Sequence, residues 1–171
     1  MKVVALVAHT IDGFIARDSK EFIDWSSKED KKMFVAVTKK GGVIVMGSNT
    51  YKTIGKPLKE RLNVVLTSKA KKLKSQDGVL EYWDAKPKQV VEKLTKRGFK
   101  VVYLIGGAHT YTKFLRAKLV DELWVTIEPV IFGSGLSNFT ESFYNVKCSL
   151  TGINKLNSNT VQLKYKLTYG N

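Results

Sequence analysis

Two glycine turns each follow a short apolar run and precede a segment with helical spacing. Residues 101–105 lead into Gly106 and Gly107, and residues 43–46 lead into Gly47. A glycine between a buried strand and a helix leaves backbone N–H groups at the helix N-terminus, where they can receive a phosphate. The same glycines also make a simple tight turn, so the pattern alone leaves a nucleotide site and a plain turn open.

Asp30 differs from the other acidic residues of the early chain by its place in a predicted helix. It lies one helical turn before Phe34, so its side chain shares a face with Met33 and Val37. A carboxylate on an apolar face is unfavourable unless it hydrogen-bonds in a pocket or binds a cationic group, which indicates acid–base chemistry. The alternative is that Asp30 only stabilises the helix N-terminus through the dipole, and the sequence favours neither interpretation.

Several further residues have both a chemical and a structural interpretation. Arg61, just before an apolar run, is either a carboxylate clamp or a surface arginine. Ser68 and Lys69 follow the apolar run 63–66, where a hydroxyl and a cation suit an added ribose phosphate but are also common in a basic loop. Trp25 is interpreted as a core residue on composition alone.

The sequence lacks the usual signatures of several other chemistries. It has neither GxGxxG between a strand and a helix nor GxxxxGK[ST], which excludes the common Rossmann fingerprint and the P-loop. His9 and His109 are its only histidines and Cys148 its only cysteine, so we expect no zinc site and no metal. A GxSxG elbow is also absent.

Composition favours one soluble domain over residues 1–171. The apolar runs are too short to span a membrane and no signal-like segment opens the chain, so we expect a cytoplasmic protein with no membrane partner. The single Cys148 agrees with a reducing compartment. The net charge of +14 suits anionic partners, but the one dense basic run, 69–74, carries no aromatic residues, so nucleic-acid binding ranks last among the hypotheses.

Strands and helices alternate along most of the chain. Near-continuous apolar strands linked by crossover helices predict a doubly wound, mostly parallel α/β sheet, and two final strands without a helix between them predict a C-terminal antiparallel hairpin. Ligands of such sheets lie at the carboxyl ends of the strands, where the glycine turns fall. The predicted strands are 3–8, 43–46, 63–66, 79–82, 101–105, 122–127, 149–156 and 160–168. The predicted helices run from the capping box at 26–30 to Gly41-Gly42, and over 49–54, 88–97 and 108–119.

Three ordered segments together resemble dihydrofolate reductase. Residues 45–68 (VMGSNTYKTIGKPLKERLNVVLTS) are similar to that family's strand, phosphate turn, substrate loop and next strand. Residues 103–111 (YLIGGAHTY) are similar to its second cofactor motif, and residues 119–135 (LVDELWVTIEPVIFGSG) to its late strand and following loop. The DGFIA and WSSKED segments most resemble short bacterial reductases close to the riboflavin-pathway pyrimidine reductases of the same superfamily.

The resemblance implies a dihydrofolate-reductase-like fold and NADPH-dependent reduction of 7,8-dihydrofolate to 5,6,7,8-tetrahydrofolate. The hydride would pass from the nicotinamide to the pterin, and a proton would arrive on the adjacent nitrogen. The competing interpretation is an NADPH-dependent pyrimidine reductase of riboflavin biosynthesis, which reduces a ribosylamino-pyrimidine phosphate. Short-loop relatives are often homodimers, and Trp124, Ile131 and Phe132 would serve either a homodimer contact or a monomer core.

The resemblance also implies a role for each matching residue. The catalytic residues would be Asp30, Trp25 and Thr126: Asp30 as the pocket carboxylate that promotes protonation, Thr126 as its support, and Trp25 in the mobile loop over the nicotinamide. The substrate-binding residues would be Val7, Ala8, Asp30, Phe34, Ile54, Leu58 and Arg61. The cofactor-binding residues would be Ala8, Ile15, Gly47, Ser48, Asn49, Thr50, Leu66, Thr67, Ser68, Lys69, Ile105, Gly106, Gly107, Ala108, His109, Thr110 and Tyr111.

Two departures from the family pattern concern the cofactor phosphates. Ser48 stands where many of these reductases carry a basic residue, and Ala108-His109 stands where Gly-Arg is usual. Both changes weaken the expected phosphate contacts. A preference for NADPH over NADH must therefore rely on Ser68, Lys69 and Lys71.

Overall fold

A mixed sheet of eight strands is the centre of the protein, for which the computed structural model describes residues 1–18, 21, 24–140 and 145–170. The elements are β1 (Lys2–Thr10), β2 (Phe14–Ala16), α1 (Lys28–Gly41), β3 (Val43–Gly47), α2 (Ser48–Ile54), β4 (Leu62–Leu66), β5 (Leu80–Trp83), α3 (Pro87–Lys96), β6 (Val101–Leu104), α4 (Ala108–Arg116), β7 (Glu122–Glu128), β8 (Leu136–Ser137), β9 (Val146–Lys155) and β10 (Val161–Tyr169).

The sheet order is β5-β4-β3-β6-β1-β7-β10-β9. The strands from β5 to β7 in this order pair in parallel. The last two differ, because β10 runs antiparallel to both β7 and β9. The predicted doubly wound, mostly parallel α/β sheet with a C-terminal antiparallel hairpin is therefore confirmed.

Helices cover both faces of the parallel part of the sheet, which explains why the sequences of β1, β3, β4 and β6 are apolar almost without interruption. In β1, Val3, Ala5 and Val7 contribute to one core cluster, and Val4 and Leu6 contribute to the other. The first cluster also contains side chains of α3 and α4: Val90, Leu94, Tyr111, Phe114 and Leu115. Side chains of α1 and α2 pack against the second: Met33, Phe34, Val37, Tyr51 and Ile54.

The boundaries of α1 follow from its sequence. The Ser27 hydroxyl accepts a hydrogen bond from the backbone N–H of Asp30 at 3.2 Å, as the capping box predicts. The helix stops at Gly42, whose φ of 74° lies in the left-handed region that favours glycine. By contrast, α4 ends at Arg116 rather than at residue 119, since the chain turns there through Lys118 with a φ of 56°.

A second, small sheet lies where the sequence predicted only an irregular loop. There β2 pairs antiparallel with β8. The Asp12 carboxylate ties the same two segments together, because it accepts hydrogen bonds from the Thr10 hydroxyl and from the backbone N–H groups of Phe132 and Gly133. These contacts join residues about 120 positions apart, and local sequence patterns do not reveal them.

Two further properties of the described part of the chain bear on function. None of its helices is long and apolar enough to cross a membrane. Its His, Cys, Asp and Glu side chains form no group of three or more that could hold a metal ion.

Candidate active site

A cleft of about 1420 Å³ opens along the carboxyl edge of the parallel strands. The ends of β1, β3, β4, β5 and β6 line it, together with the first turns of α2 and α4. Most of the residues implied by the sequence resemblance lie in this one cleft. These are Val7, Ala8, Ile15, Asp30, Phe34, Gly47, Ser48, Asn49, Thr50, Ile54, Leu58, Leu66, Thr67, Ser68, Ile105, Gly106, Gly107, Ala108, His109, Thr110 and Tyr111.

The two glycine turns meet at one wall of the cleft. The backbone N–H of Gly47 donates to the carbonyl of Gly106 at 2.8 Å, and the Gly106–Gly107 peptide is cis. A Cβ atom on Gly47 would lie 2.9 Å from Thr110 Oγ1, which is too close, so the sequence needs glycine there. Gly47 and Gly107 are the N-caps of α2 and α4, and neither helix has a capping side chain. The wall is therefore made of backbone, and no side chain caps the two helix N-termini, where an anion can bind.

Tyr111 joins α4 to β1 behind this wall. Its hydroxyl donates to the carbonyl of Leu6 at 2.7 Å, and its ring packs edge-on against Phe139. Burial raises the pKa of Tyr111 far above its ordinary value, so the phenol stays neutral. Tyr111 thus holds the second glycine turn against β1 in addition to lining the cleft.

Asp30 forms the acidic part of the cleft. Only 8% of the residue is exposed. Burial raises the pKa of its carboxyl group, and the negative charge of Glu128 acts in the same direction. The hydroxyl groups of Thr126 and Ser26 and the charge of Lys31 act in the opposite direction. The net result is a carboxyl group with a raised pKa, as acid–base chemistry near neutral pH requires.

Thr126 reaches this site from β7, next to Ala8 of β1. The residue is fully buried, and its hydroxyl has no partner within hydrogen-bond distance among the described residues. It still lies close enough to Asp30 to influence the pKa of the carboxyl group. A buried, unpaired hydroxyl beside a buried carboxyl group is an arrangement that a ligand or a water molecule can satisfy.

An apolar wall of Phe34, Ile54 and Leu58 faces the same space. The loop that carries Leu58 is fixed by Asn63, which sequence reasoning missed. Asn63 is fully buried; its side chain accepts from the N–H of Leu58 at 2.8 Å and donates to the carbonyls of Leu58 and Arg61 at 2.9 Å. The signal was available, because asparagine is unusual at the start of an apolar run.

Four residues implied by the resemblance do not line the cleft: Trp25, Arg61, Lys69 and Thr126. The Arg61 guanidinium is buried and donates to the Thr38 hydroxyl and to the carbonyl of Lys59. Arg61 instead lines a smaller depression of about 360 Å³. Trp25 packs edge-on against Phe132 with the ring centres 5.2 Å apart. The carboxylate clamp expected of Arg61 and the nicotinamide contact expected of Trp25 therefore stay predictions.

The cleft also contains residues that sequence reasoning did not assign to it. The end of β5 contributes Trp83 and Asp84 beside Thr67 and Ser68 of the β4 end. The segment around β8, which pairs with β2, contributes Leu136. The neighbouring position of β4 and β5 in the predicted parallel sheet was a usable signal for Trp83 and Asp84, whereas nothing local marked Leu136. The other unassigned lining residues are Leu6, Ala16, Asp18, Glu21, Ser26, Lys31, Thr53, Ala85, Pro87, Lys113, Phe114, Gly135, Ser137, Phe139 and Thr140.

Comparison with solved structures shows that the fold occurs in a known reductase. The diaminohydroxyphosphoribosylaminopyrimidine deaminase/5-amino-6-(5-phosphoribosylamino)uracil reductase of Thermotoga maritima superimposes with a TM-score of 0.80 at 17% identity. The superposition covers 96% of this chain but 56% of that one, so this chain spans little more than half of that protein.

Sequence relatives define the class more closely. The dihydrofolate reductase of Haemophilus influenzae is 30% identical over 121 residues, which are 71% of this chain and 68% of that protein. The uncharacterized protein YyaP of Bacillus subtilis is 25% identical over 177 aligned residues, covering 96% of this chain and 94% of that protein. With the cleft described above, these matches define an oxidoreductase of the dihydrofolate-reductase-like type.

The family model with the description RibD C-terminal domain matches residues 1–162. The chain therefore belongs to the RibD C-terminal domain family. This result confirms the resemblance to dihydrofolate reductase and to its riboflavin-pathway neighbours.

Proposed function

We propose that the protein is an NADPH-dependent reductase whose substrate places a nitrogen heterocycle against Asp30. The observation that carries this proposal is a buried carboxyl group, Asp30, beside the buried hydroxyl of Thr126. Asp30 lines the same cleft as the two glycine turns, so a cofactor at the turns and a substrate at Asp30 would share one space.

The residues at the glycine turns fit NADPH. No side chain caps the N-terminus of α2 or of α4. A diphosphate would accept hydrogen bonds from backbone N–H groups in their first turns. Thr67 and Ser68 line the cleft at the end of β4, where they would hold the adenosine end. When it is bound, the nicotinamide supplies the hydride.

Asp30 would act on the substrate in two ways. Its carboxylate would accept hydrogen bonds from adjacent N–H groups of the ring, which fixes the orientation of the ring in the cleft. Burial raises its pKa above the ordinary value of an aspartate, so it would also assist protonation of the reduced bond, directly or through a water molecule. The apolar wall of Phe34, Ile54 and Leu58 would exclude bulk water from the ring.

The first substrate candidate is a ribosylamino-pyrimidine phosphate, with the riboflavin-pathway reductases as the model. Its support is the extent of the similarity: the family match spans residues 1–162, and the reductase of known fold matches 96% of the chain. A phosphate also requires a cation in the cleft. Lys31 and Lys113 line it and are the cationic side chains that would meet this need.

The second candidate is 7,8-dihydrofolate, and a specific observation favours it. Asp30, Phe34, Ile54 and Leu58 line the cleft together, which is the set that the dihydrofolate reductase resemblance assigned to the pterin and its aminobenzoate. The relative of this name from Haemophilus influenzae matches 71% of the chain.

A parallel assay distinguishes the candidates. Purified protein is mixed with NADPH and either 5-amino-6-(5-phosphoribosylamino)uracil or 7,8-dihydrofolate, the loss of NADPH absorbance is followed, and the product is identified by mass. Turnover of the pyrimidine supports the first candidate and turnover of dihydrofolate the second. If a folded protein that binds NADPH oxidises it with neither compound, both substrate assignments fail.

A homodimer and a cytoplasmic location complete the proposal. The homodimer is supported only by the habit of short-loop relatives and is tested by sedimentation equilibrium of the purified chain. A monomer across the micromolar range would overturn it.

A further inference from the structure

Glu128 is a buried carboxylate that the proposed reaction does not use directly. It is the last residue of β7 and is only 2% exposed. Three donors satisfy it: the backbone N–H of Ser27 at 3.0 Å, the Ser27 hydroxyl at 2.8 Å and the Thr160 hydroxyl at 3.1 Å. Glu128 does not line the cleft, so it has no route to a substrate.

These hydrogen bonds connect Glu128 to Asp30 through one intermediate residue. Ser27 is the N-cap of α1, and its hydroxyl, which donates to Glu128, accepts from the N–H of Asp30 at 3.2 Å. Glu128 therefore fixes the first helical turn, on which Asp30 is carried. Thr126 lies two residues earlier on the same strand and so points to the same face of the sheet.

The charge of Glu128 lies outside the cleft and acts on Asp30. Its negative charge adds to the effect of burial in raising the pKa of the Asp30 carboxyl group. The opposing groups are the hydroxyls of Ser26 and Thr126 and the ammonium of Lys31, whose Nζ is engaged with the carbonyl of Asp24 at 2.9 Å. Within the described residues, Glu29 on α1 is turned to Asn157.

We infer that Glu128 is a positioning residue for Asp30: through Ser27 it holds the first turn of α1 in place, and its buried negative charge is coupled to the Asp30 carboxyl group. The consequence of this coupling for turnover rests on the proposed function, whereas the coupling itself does not. A buried charge outside the cleft thus influences a carboxyl group inside it.

The test measures the titration of Asp30 directly. The ¹³C carboxyl signal of Asp30, assigned by its loss in Asp30→Asn, is followed against pH in ligand-free wild type, Glu128→Gln and Thr160→Val. Glu128→Gln removes the charge but keeps a similar shape, so the Asp30 midpoint should shift to lower pH. Thr160→Val removes one hydrogen bond to Glu128 and keeps its charge, so the charge is less compensated and the midpoint should rise.

The outcomes separate this inference from the proposed function. An unchanged midpoint in Glu128→Gln overturns the coupling. If Glu128→Gln does not fold, Thr160→Val carries the test alone, and an unchanged or lower midpoint in that variant overturns the coupling. A shifted midpoint in a protein that reduces neither substrate leaves the coupling intact and rejects the proposed reaction. In an active enzyme, the pH profile of kcat for Glu128→Gln should shift to lower pH with NADPH affinity unchanged, and a profile that keeps its midpoint overturns the link to turnover.

Discussion

The two sides of the cleft are built in different ways. The side proposed for the cofactor is made of backbone: Gly47 meets Gly106 through a hydrogen bond, and two helix N-termini open beside them. The side proposed for the substrate is made of side chains from α1 and β7, with Asp30 facing Thr126. A backbone wall depends on local chain geometry, whereas the acidic pocket depends on contacts such as Ser27 to Glu128 across 101 positions.

Replacing Asp30 should produce the largest loss of activity, and the loss should concern only the side of the cleft proposed for the substrate. We expect Asp30→Asn to lower kcat about 100-fold at neutral and higher pH, because the proton donor is lost, and much less at acidic pH, where solvent supplies the proton. NADPH affinity, measured by fluorescence titration, should not change. Glu29→Gln on the same helical turn is the control, and an equal loss of NADPH affinity in Asp30→Asn would contradict the division between the two sides.

A methyl group at Gly47 should damage the backbone wall alone. Its Cβ would lie 2.9 Å from Thr110 Oγ1, so we expect Gly47→Ala to weaken NADPH binding about tenfold, equal to about 1.4 kcal/mol. The double variant Gly47→Ala with Thr110→Ala removes the clash and should recover much of the affinity. Failure of the double variant to recover would show that the glycine is needed for another reason.

Arg61 tests whether a residue outside the cleft contributes to the substrate side. Because its guanidinium is buried and bonded to Thr38 and to the Lys59 carbonyl, we expect Arg61→Met to reduce stability by about 1–3 kcal/mol through the unpaired partners. KM should change little, as measured by steady-state kinetics beside urea unfolding. A large rise in KM with unchanged stability would instead establish the carboxylate clamp that the sequence resemblance implies.

Asp30 should also make stability depend on pH. Its folded-state pKa is raised, so its contribution to stability is greatest below the unfolded value and is lost as the pH rises through the folded one. We therefore expect the melting temperature of Asp30→Asn to exceed that of wild type at neutral pH and to equal it in acid. Glu29 provides the opposite case, because hydrogen bonds from its own backbone and from Asn157 lower its pKa. Glu29→Gln should therefore have a slightly lower melting temperature than wild type at neutral pH.

The smallest effect is expected at the adenosine end. Ser68 lines the cleft and Lys69 does not, so Ser68→Ala should reduce the preference for NADPH over NADH about threefold, while Lys69→Ala should change it less. The ratio of kcat/KM for the two cofactors measures both. A larger effect of Lys69→Ala would mean that this loop moves toward the cofactor on binding.

The backbone side could be predicted from the sequence because its determinants are adjacent in the chain. The apolar run, the glycine and the helix that follows it specify each turn. Every residue that the sequence assigned to the two turns lines the cleft. Helix α1 was equally local, with Ser27 as its cap and Gly42 as its end.

The sequence revealed less of the side-chain wall. Periodicity placed Asp30 on a buried face, and the family resemblance added Thr126 as its partner. Neither pointed to Glu128, which reaches Asp30 from the same distant strand. Asn63 and the β2–β8 pair were missed for the same reason, since each is defined by contacts between separate segments. Arg61 matched its motif in sequence, yet its side chain turns to Thr38 rather than to the cleft.

The Asp12 carboxylate has a consequence for access to the cleft. It accepts hydrogen bonds from the amides of Phe132 and Gly133 and so links the segment that contains β2 to the segment that leads into β8. Both strands supply residues that line the cleft. The two segments are therefore joined at this end of the cleft, and they can separate only after the hydrogen bonds of Asp12 break. Hydrogen exchange at the Phe132 and Gly133 amides would measure how often these hydrogen bonds break.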